Sequence, residues 1–274
     1  MSTVPSPRVR LSENELHRHR QVAEAFGSDP ERYDRTRPRY PEALVNRITG
    51  NGTKLDIVDV GCGTGIVSRQ FQAAGHTVLG VEVDPRMAAF ARQRGTDVEV
   101  AAFEDWDPAG RTFDAVVSGQ TWHWLNPVAG AGKAARALRP GGRVSVFWNA
   151  ELPSPEVLRA FGEVYRRVLP DSLVARQWTA NAIDGYVMLC DKAADGMRTT
   201  GAFGETQEWR FDWSRSYRRD EWLDQLPTHG DHGQYPVAVV EEVQAGIGAA
   251  IDAMGGGFEM RYTTIAVSAV RNPE

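Results

Sequence analysis

The stretch that decides the fold of this chain is Val58-Asp59-Val60-Gly61-Cys62-Gly63-Thr64-Gly65. Apolar residues from Leu55 to Val60 predict a strand, and three alternating glycines predict a sharp turn into a helix that starts near Thr64. Glycine suits this turn because the backbone must adopt unusual dihedral angles, and because no side chain then blocks a ligand above the loop. The first N–H groups of the helix would face that ligand. The pattern therefore predicts a nucleotide-type cofactor site.

The spacing of these glycines distinguishes between the known nucleotide-binding loops. A dinucleotide-binding loop reads G-x-G-x-x-G, but Ile66 stands where its third glycine belongs. A P-loop needs a lysine after its last glycine, and none follows here. The run from Asp59 to Gly65 instead resembles motif I of the class I S-adenosylmethionine-dependent methyltransferases. A dinucleotide site and a turn without a ligand are the alternatives.

A second buried strand, predicted over Thr77–Glu82, ends in a carboxylate. A carboxylate at the tip of the second strand can accept hydrogen bonds from both ribose hydroxyls of an adenosine. The next helix is predicted to start at Asp84-Pro85, because proline suits a first helical turn. Met87 in that helix has a polarizable side chain that could cover an adenine face.

Three further strands are predicted over residues 98–102, 113–118 and 144–148, with a helix that begins at Asn126-Pro127 before the last of them. Five strands that alternate with helices predict a doubly wound parallel sheet. Ligands bind such sheets at the carboxyl ends of the strands. The turn Leu138-Arg139-Pro140-Gly141-Gly142 is another feature similar to the methyltransferases.

The resemblance to class I methyltransferases implies S-adenosylmethionine as cofactor and S-adenosylhomocysteine as product. It also implies a Rossmann-like, seven-stranded sheet whose last strand is antiparallel, and it places the residues after the third strand beside the adenine. The residues that we expect at the cofactor are Tyr33, Arg37, Asp59, Gly61, Cys62, Gly63, Gly65, Glu82, Val83, Met87, Ala102, Phe103, Glu104, Ser118 and Gln120. Core packing is the alternative for Met87 and Phe103.

The N-terminal segment, residues 1–40, is expected to fold across the cofactor as a lid. Ser12-Glu13-Asn14-Glu15 is a capping-box pattern that predicts a helix ending near Gly27. Residues 29–41 contain prolines that oppose helix, and they resemble the start of a bacterial subgroup similar to trans-aconitate and related small-molecule methyltransferases. By that resemblance Tyr33 and Arg37 would contact the aminocarboxylate of the cofactor or the acceptor. A solvated surface loop is the alternative.

Residues 41–274 are expected to form one methyltransferase domain. In the C-terminal half, residues 155–169 and 237–254 predict helices, and residues 207–217 and 258–270 predict the sixth and seventh strands. The pattern of residues 170–205 is irregular. We therefore expect residues 150–205 to form an inserted cap over the active site.

His123 is the candidate general base, because it follows the fourth strand and an unperturbed imidazole titrates near neutral pH. A structural or cofactor-orienting role between Trp122 and Trp124 is the alternative. His229, Asp231 and His232 are potential metal ligands, but their spacing matches no zinc pattern. No metal site is therefore predicted.

The composition gives no reason to expect a nucleic acid partner, because the net charge is −5 and binders of polyanions usually have a basic excess. Cys62 and Cys190 do not make a disulfide framework. No apolar run approaches a membrane span or a signal core, so we expect a soluble, cytoplasmic protein. The sequence also allows a homodimer.

Together these features predict an enzyme that transfers a methyl group from S-adenosylmethionine to a small molecule, with oxygen of a carboxylate or hydroxyl as the favoured acceptor. An NAD(P)-dependent reductase is one alternative, opposed by Ile66 and by the lack of an obvious catalytic Tyr/Lys pair. A non-catalytic cofactor-binding regulator, or other chemistry on the same fold, is the second.

Overall fold

The structure is a computed structural model that describes residues 26–50, 52–172, 175, 178, 182–229, 232 and 235–273. Its strands are β1 (Asp56–Val60), β2 (Thr77–Glu82), β3 (Asp97–Val100), β4 (Phe113–Gly119), β5 (Leu138–Leu152), β6 (Gln207–Arg218) and β7 (Gly257–Val270). They form one sheet in the order β3-β2-β1-β4-β5-β7-β6.

The strand directions are those of a doubly wound sheet with an antiparallel insertion. Strands β1 to β5 pair in parallel, whereas β7 lies between β5 and β6 and is antiparallel to both. Strand β1 is buried along nearly its whole length, as expected for a parallel strand covered on both faces. The predicted Rossmann-like, seven-stranded fold is thus confirmed.

The helices of the described part are α1 (Pro30–Thr36), α2 (Glu42–Thr49), α3 (Ile66–Ala73), α4 (Pro85–Gln93), α5 (Pro127–Ala137), α6 (Pro155–Val168), α7 (Ala182–Thr200), α8 (Arg219–Gln225) and α9 (Val237–Ala253). Short 3-10 turns cover Phe26–Ser28, Trp122–Trp124 and Leu226–Thr228. The predicted starts of α4 and α5 are confirmed by their caps. Asp84 accepts from the N–H of Arg86 (2.8 Å), and Asn126 accepts from the N–H of Ala129 (3.0 Å).

The expectation that residues 170–205 are irregular is wrong, because α7 occupies 19 of them. Two glycines, Gly185 and Gly196, weaken the helical signal of this stretch. One of these glycines has a packing reason, since a Cβ on Gly196 would lie 2.4 Å from the carbonyl oxygen of Pro127. Buried Cys190, Ala193 and Met197 recur at helical spacing and pack against the sheet.

Two other boundaries differ from the sequence predictions. Strand β5 begins at Leu138 and ends at Leu152, so it extends the predicted strand in both directions and includes the Pro-Gly-Gly turn.

The predicted N-terminal helix lies outside the described residues up to position 25, and a 3-10 turn covers Phe26–Ser28. The expectation that residues 29–41 stay out of helix is wrong for residues 30–36, which form α1. Pro30 suits the first turn of this helix, and the side chain of Asp29 caps it by accepting from the N–H of Arg32 (3.0 Å). The lid role of residues 1–40 and the cap role of residues 150–205 stay predictions.

The core lies on both faces of the sheet. One cluster packs α5 and α7 against it, and a second packs α2 and α3 against the opposite face. A third, rich in aromatic rings, joins α6, α8 and α9 to the ends of β6 and β7. Among the described residues, none of the helices combines the length and apolar character that crossing a bilayer requires. The carboxyl ends of β1, β2, β4 and β5 meet at one edge, where the candidate site lies.

Candidate active site

The glycine loop, residues 61–65, connects β1 to α3 at this edge. Its glycines have left-handed φ angles of 63° at Gly61, 55° at Gly63 and 85° at Gly65. A Cβ on Gly61 would lie 2.0 Å from Cγ2 of Thr121, so this position packs against the turn after β4. In the described part of the chain, no heavy atom lies within 4 Å of a Cβ placed on Gly63. The loop is therefore closely packed at Gly61 and open at Gly63, as a ligand-holding loop requires.

Glu82, at the end of β2, is hydrogen-bonded to this loop. Its Oε2 accepts a hydrogen bond from the N–H of Gly63, and its Oε1 accepts one from the N–H of Asp84, both at 2.8 Å. Burial raises the pKa of the Glu82 carboxyl, and the backbone hydrogen bonds oppose that rise. Each carboxylate oxygen has a second lone pair. Glu82 can thus shape the loop and still accept a hydrogen bond from a ribose hydroxyl.

Asp59 and Cys62 flank the start of the loop but differ in what their side chains do. Oδ2 of Asp59 accepts a hydrogen bond from the Ser68 hydroxyl (2.6 Å), and Oδ1 is buried without a partner among the described residues. Burial raises the pKa of Asp59 to about 7. The Cys62 thiol fills the core against β2, since a Cβ on Gly80 would lie 2.5 Å from its Sγ. Only the backbone of Cys62 is therefore suited to a ligand.

The residues expected beside an adenine differ in how far they are buried. Met87 is 4% exposed in α4, and Val83 is 37% exposed at the sheet edge. Phe103 is also 4% exposed and stacks on Trp106 at 5.9 Å between ring centroids, which favours its core-packing alternative. Ala102 and Glu104 are half-buried beside it, and Glu104 Oε1 accepts from the N–H of Asn126 (3.2 Å).

The end of β4 brings Ser118 and Gln120 to the same edge. The buried hydroxyl of Ser118 donates to the carbonyl of Val60 (3.0 Å), so it joins β4 to β1. Gln120 has a left-handed φ of 57°, which is costly for a residue with a side chain and is concentrated at functional sites. Its backbone N–H donates to the carbonyl of Phe147 (2.9 Å), which fixes this conformation.

His123 has a partner that limits its use as a base. Nδ1 of His123 accepts a hydrogen bond from the indole Nε1–H of Trp148 (3.1 Å), and burial lowers the pKa of His123 to about 4. The neutral ring then carries its proton on Nε2, and its lone pair on Nδ1 is occupied. This geometry favours the positioning role over the general base expected from the sequence.

The N-terminal segment places Arg37 between Tyr33 and the turn after α8. The guanidinium of Arg37 lies 5.0 Å from the centre of the Tyr33 ring, and its Nη2 donates to the carbonyl of Thr228. Nε of Arg37 is buried and has no hydrogen-bond partner in the described part of the chain. Arg39 donates to the carbonyl of Asp34 (3.3 Å). Arg37 thus has an unused donor that a carboxylate could occupy.

A polar cluster that sequence reasoning missed lies at the end of β5. Glu151 is 24% exposed, and its Oε1 is 3.9 Å from Nε2 of His229. The same Nε2 is 2.7 Å from the amide nitrogen of Gln225, which is its donor. Burial raises the pKa of Glu151 to about 7, although Arg37 opposes this, and burial holds the pKa of His229 well below its usual range. The sequence signal that could have indicated this cluster is an acidic residue, Glu151, at the end of an apolar strand.

His229 and His232, the two metal-ligating candidates that the structure describes, bond to other groups. His232 is bonded through Nδ1 to the carbonyl of His229 (2.6 Å) and through Nε2 to the hydroxyl of Tyr165 (3.3 Å), so both its ring nitrogens have partners. Asp231 lies outside the described residues. Within the described ranges, no three His, Cys, Asp or Glu side chains are close enough together to hold a metal ion. Cys62 and Cys190 are both free and buried.

Residues 58–146, from β1 into β5, match the protein family described as a methyltransferase domain. This range contains the glycine loop, Glu82 and the end of β4. The chain thus contains a region, about a third of its length, that is similar to a methyltransferase domain.

Curated methyltransferases are similar to this chain over part of their length. An uncharacterized methyltransferase of Mycobacterium tuberculosis is 30% identical over 150 residues, which cover 54% of this chain and 61% of the relative. The malonyl-[acyl-carrier protein] O-methyltransferase of Pseudescherichia vulneris is 27% identical, with 68% of this chain and 80% of the relative covered. The trans-aconitate 2-methyltransferase of Mycobacterium ulcerans is 32% identical over 50% of this chain and 53% of the relative. The chain thus spans about three-fifths of the first of these relatives.

Solved structures support the fold. A protein of Anaeromyxobacter dehalogenans described as a type II methyltransferase has a TM-score of 0.57 at 21% identity, with 87% of this chain and 99% of the other covered. A phosphoethanolamine N-methyltransferase of Haemonchus contortus, solved with S-adenosylhomocysteine, has a TM-score of 0.50 at 16% identity. The match covers 98% of this chain and 62% of the Haemonchus contortus chain. These likenesses concern the fold.

Proposed function

We propose that this chain transfers a methyl group from S-adenosylmethionine to a small-molecule acceptor, with oxygen as the favoured methylated atom. The proposal rests on the open space around Gly63. This space lies beside Glu82, whose carboxylate accepts a hydrogen bond from the N–H of Gly63. When bound, S-adenosylmethionine supplies an electrophilic methyl group on a sulfonium. The chain's task is then to hold donor and nucleophile in line and to exclude water.

The residues present fit this cofactor. The loop is packed at Gly61 and open at Gly63, so its backbone can be approached closely. Glu82 retains acceptor capacity for ribose hydroxyls, and the buried Oδ1 of Asp59 has no partner in the described part. The strained backbone of Gln120 marks the end of β4 as the neighbouring part of the same site.

The small, acidic character of the acceptor is supported by Arg37. Its Nε is buried and free of a hydrogen-bond partner among the described residues, and a guanidinium is suited to bidentate carboxylate binding. Two relatives are named for malonyl-[acyl-carrier protein] and trans-aconitate, and both the malonyl group and aconitate carry carboxylates. The net charge of −5 favours a small molecule over a nucleic acid.

Calorimetry and labelled transfer test this function and its alternatives. We expect S-adenosylmethionine and S-adenosylhomocysteine to bind and NAD(P)H not to bind. Incubation with methyl-labelled cofactor and a metabolite extract should then label a small molecule. Binding of NAD(P)H alone would favour the reductase, and cofactor binding without any labelled product would favour the regulator. The cytoplasmic location and the homodimer stay predictions.

A further inference from the structure

Tyr40, the last residue of the N-terminal segment, is held in place by contacts from α3 and β5. Its backbone N–H donates to Oε1 of Gln70 (3.1 Å), and the Gln70 amide donates to the Tyr40 carbonyl (2.8 Å). The side-chain amide of buried Asn149 donates to the carbonyl of Arg39 (3.4 Å). The Tyr40 ring lies edge-on to Phe147, with 4.7 Å between the ring centroids. Both the backbone and the ring of Tyr40 are therefore fixed.

The Tyr40 hydroxyl reaches the carboxyl end of β4. A Cβ placed on Gly119, the last residue of this strand, would lie 2.7 Å from that hydroxyl. It would also lie 2.8 Å from Cγ2 of Val67 and 2.9 Å from Cε2 of Phe147. A residue with a side chain could therefore stand at position 119 only if these groups moved. Glycine at this position permits the close approach of the hydroxyl to the backbone.

The backbone at Gly119 is bonded to the same side chain as the glycine loop. The hydroxyl of Thr121 lies 3.1 Å from the carbonyl of Gly61 and 3.2 Å from the carbonyl of Gly119. Gln120, with its left-handed φ, lies between Gly119 and Thr121. The Tyr40 hydroxyl therefore lies beside the turn that packs against the glycine loop, at the edge where open α/β sheets bind their ligands.

The hydroxyl of Tyr40 is a hydrogen-bonding group without a partner among the described residues. The side chain is half-buried, and the hydroxyl of such a tyrosine usually finds a partner. Burial raises the pKa of the Tyr40 phenol well above its ordinary value, so the group keeps its proton at neutral pH. It is therefore a fixed, neutral donor that an acceptor atom of a ligand could use.

The order of the strands indicates which end of the cofactor would lie beside this hydroxyl. Glu82, at the end of β2, is the expected acceptor for the ribose, and the adenine is expected on the side of β3. The strands follow the order β3-β2-β1-β4, so the rest of the cofactor would extend across the glycine loop towards β4. In S-adenosylmethionine that part is the methionyl chain, which ends in an amino group and a carboxylate. Because Arg37 is proposed for the acceptor, this carboxylate needs another donor.

We propose that the Tyr40 hydroxyl donates a hydrogen bond to the methionyl carboxylate of S-adenosylmethionine, and that Gln70 is the positioning residue for Tyr40. This inference rests on the proposed methyl transfer. A hydrogen bond to an ionised carboxylate is about twice as strong as one between neutral groups. The hydroxyl would thus bind the end of the cofactor that lies farthest from Glu82.

Calorimetry on the full-length protein with two forms of the cofactor tests this contact, and it does not require the acceptor. Decarboxylated S-adenosylmethionine keeps the adenosine, the sulfonium and the amino group but has no carboxylate. Its Kd is measured by competition with S-adenosylhomocysteine. We expect Tyr40→Phe to raise the Kd for S-adenosylmethionine by about tenfold or more and to leave the Kd for the decarboxylated form unchanged.

The control for the loss of a tyrosine hydroxyl is Tyr217→Phe. This hydroxyl is bonded to that of Tyr262 (2.7 Å) in the cluster of aromatic rings around α6, α8 and α9. We expect its removal to leave both Kd values unchanged. Tyr40→Phe keeps the ring that packs on Phe147, so its thermal unfolding midpoint should match that of the wild type.

Gln70→Ala tests the positioning role, because it releases both backbone groups of Tyr40 and keeps the hydroxyl. We expect it to raise the Kd for S-adenosylmethionine by a smaller factor than Tyr40→Phe and to spare the decarboxylated form. The double variant should bind S-adenosylmethionine as weakly as Tyr40→Phe alone, since Gln70 acts through Tyr40. Additive losses in the double variant would contradict this role of Gln70.

The outcomes separate this inference from the proposed function. An equal rise of both Kd values in Tyr40→Phe, or no rise for S-adenosylmethionine, would overturn the contact with the carboxylate. The proposed function would then still stand, because the wild type binds the cofactor in either case. A wild type that bound neither form nor S-adenosylhomocysteine would overturn both.

Discussion

An ion pair between Arg69 and Asp34 connects the N-terminal segment to the glycine loop. The guanidinium of Arg69 pairs with the Asp34 carboxylate of α1 through one nitrogen and donates to the carbonyl of Thr64 in the loop through the other (2.6 Å). Both side chains are largely buried, with exposed fractions of 24% and 11%. A further ion pair, between Arg35 and Asp224, joins α1 to α8. The segment expected to act as a lid is thus bonded both to the residues that hold the glycine loop and to α8.

Replacing Arg69 with alanine should weaken cofactor binding. The variant loses two charge-assisted hydrogen bonds and frees both α1 and the Thr64 carbonyl. Hydrogen bonds to charged groups contribute about 1.5–3 kcal/mol, so we expect the Kd for S-adenosylhomocysteine to rise by about tenfold or more in calorimetry. The control is Arg198→Ala, which breaks an exposed ion pair with Asp195 on α7. Equal Kd values for the two variants would show that this connection does not support the site.

Glu82→Ala should have a larger effect on the same measurement. It removes the acceptor for the N–H of Gly63 and the proposed acceptor for the ribose hydroxyls. We expect the Kd to rise by about one to two orders of magnitude. Glu208→Ala is the control, because it removes an exposed carboxylate on β6 that pairs with Arg210 instead. An unchanged Kd in folded Glu82→Ala would remove Glu82 from the cofactor site.

His123→Ala should lower the free energy of unfolding and not the rate of methyl transfer. The indole N–H of buried Trp148 would lose its acceptor, which costs about 1–3 kcal/mol of the free energy of unfolding in urea. His123→Gln offers another acceptor and should recover part of that loss. If His123→Ala kept its stability and lost methyl transfer, the ring would be a catalytic base after all.

Asp59→Asn should stabilise the protein at high pH. The pKa of Asp59 is about 7 in the fold and about 4 in an unfolded chain, so the folded state binds this proton more tightly. The wild type is therefore most stable, with respect to this group, below pH 4, and it loses stability as pH rises through 7. We expect the unfolding free energy of Asp59→Asn relative to wild type to grow by up to about 4 kcal/mol from pH 4 to pH 8. A difference that does not change with pH would contradict the burial of an ionisable Asp59.

The part of the fold that could be predicted from the sequence is the part encoded locally. The glycine run, the carboxylate that ends β2 and the capping residues Asp84 and Asn126 each act within a few positions of themselves. Their local pattern therefore predicted the elements that surround the glycine loop. Helix α7 was missed because its stability comes from packing on α5, where Gly196 permits a close approach that its own helical propensity disfavours.

The polar contacts near the ends of β4 and β5 join distant positions. Glu151 lies beside His229, and His123 bonds to Trp148, but nothing in either local pattern signals the partner. Burial also changed the chemistry that residue type alone suggests. His123 has a free acceptor in isolation, whereas in the fold that acceptor is occupied and the pKa is lowered to about 4.

The most direct test of a cofactor site on the glycine loop compares Gly63→Val with Gly95→Val. Both glycines have left-handed φ angles, 55° and 87°, and neither has a heavy atom of the described residues within 4 Å of an added Cβ. Both variants therefore carry a similar backbone strain of about 1–2 kcal/mol, but only Gly63 lies on the loop. We expect calorimetry to show S-adenosylmethionine binding to wild type and Gly95→Val and none to Gly63→Val. Normal binding to folded Gly63→Val would contradict the account.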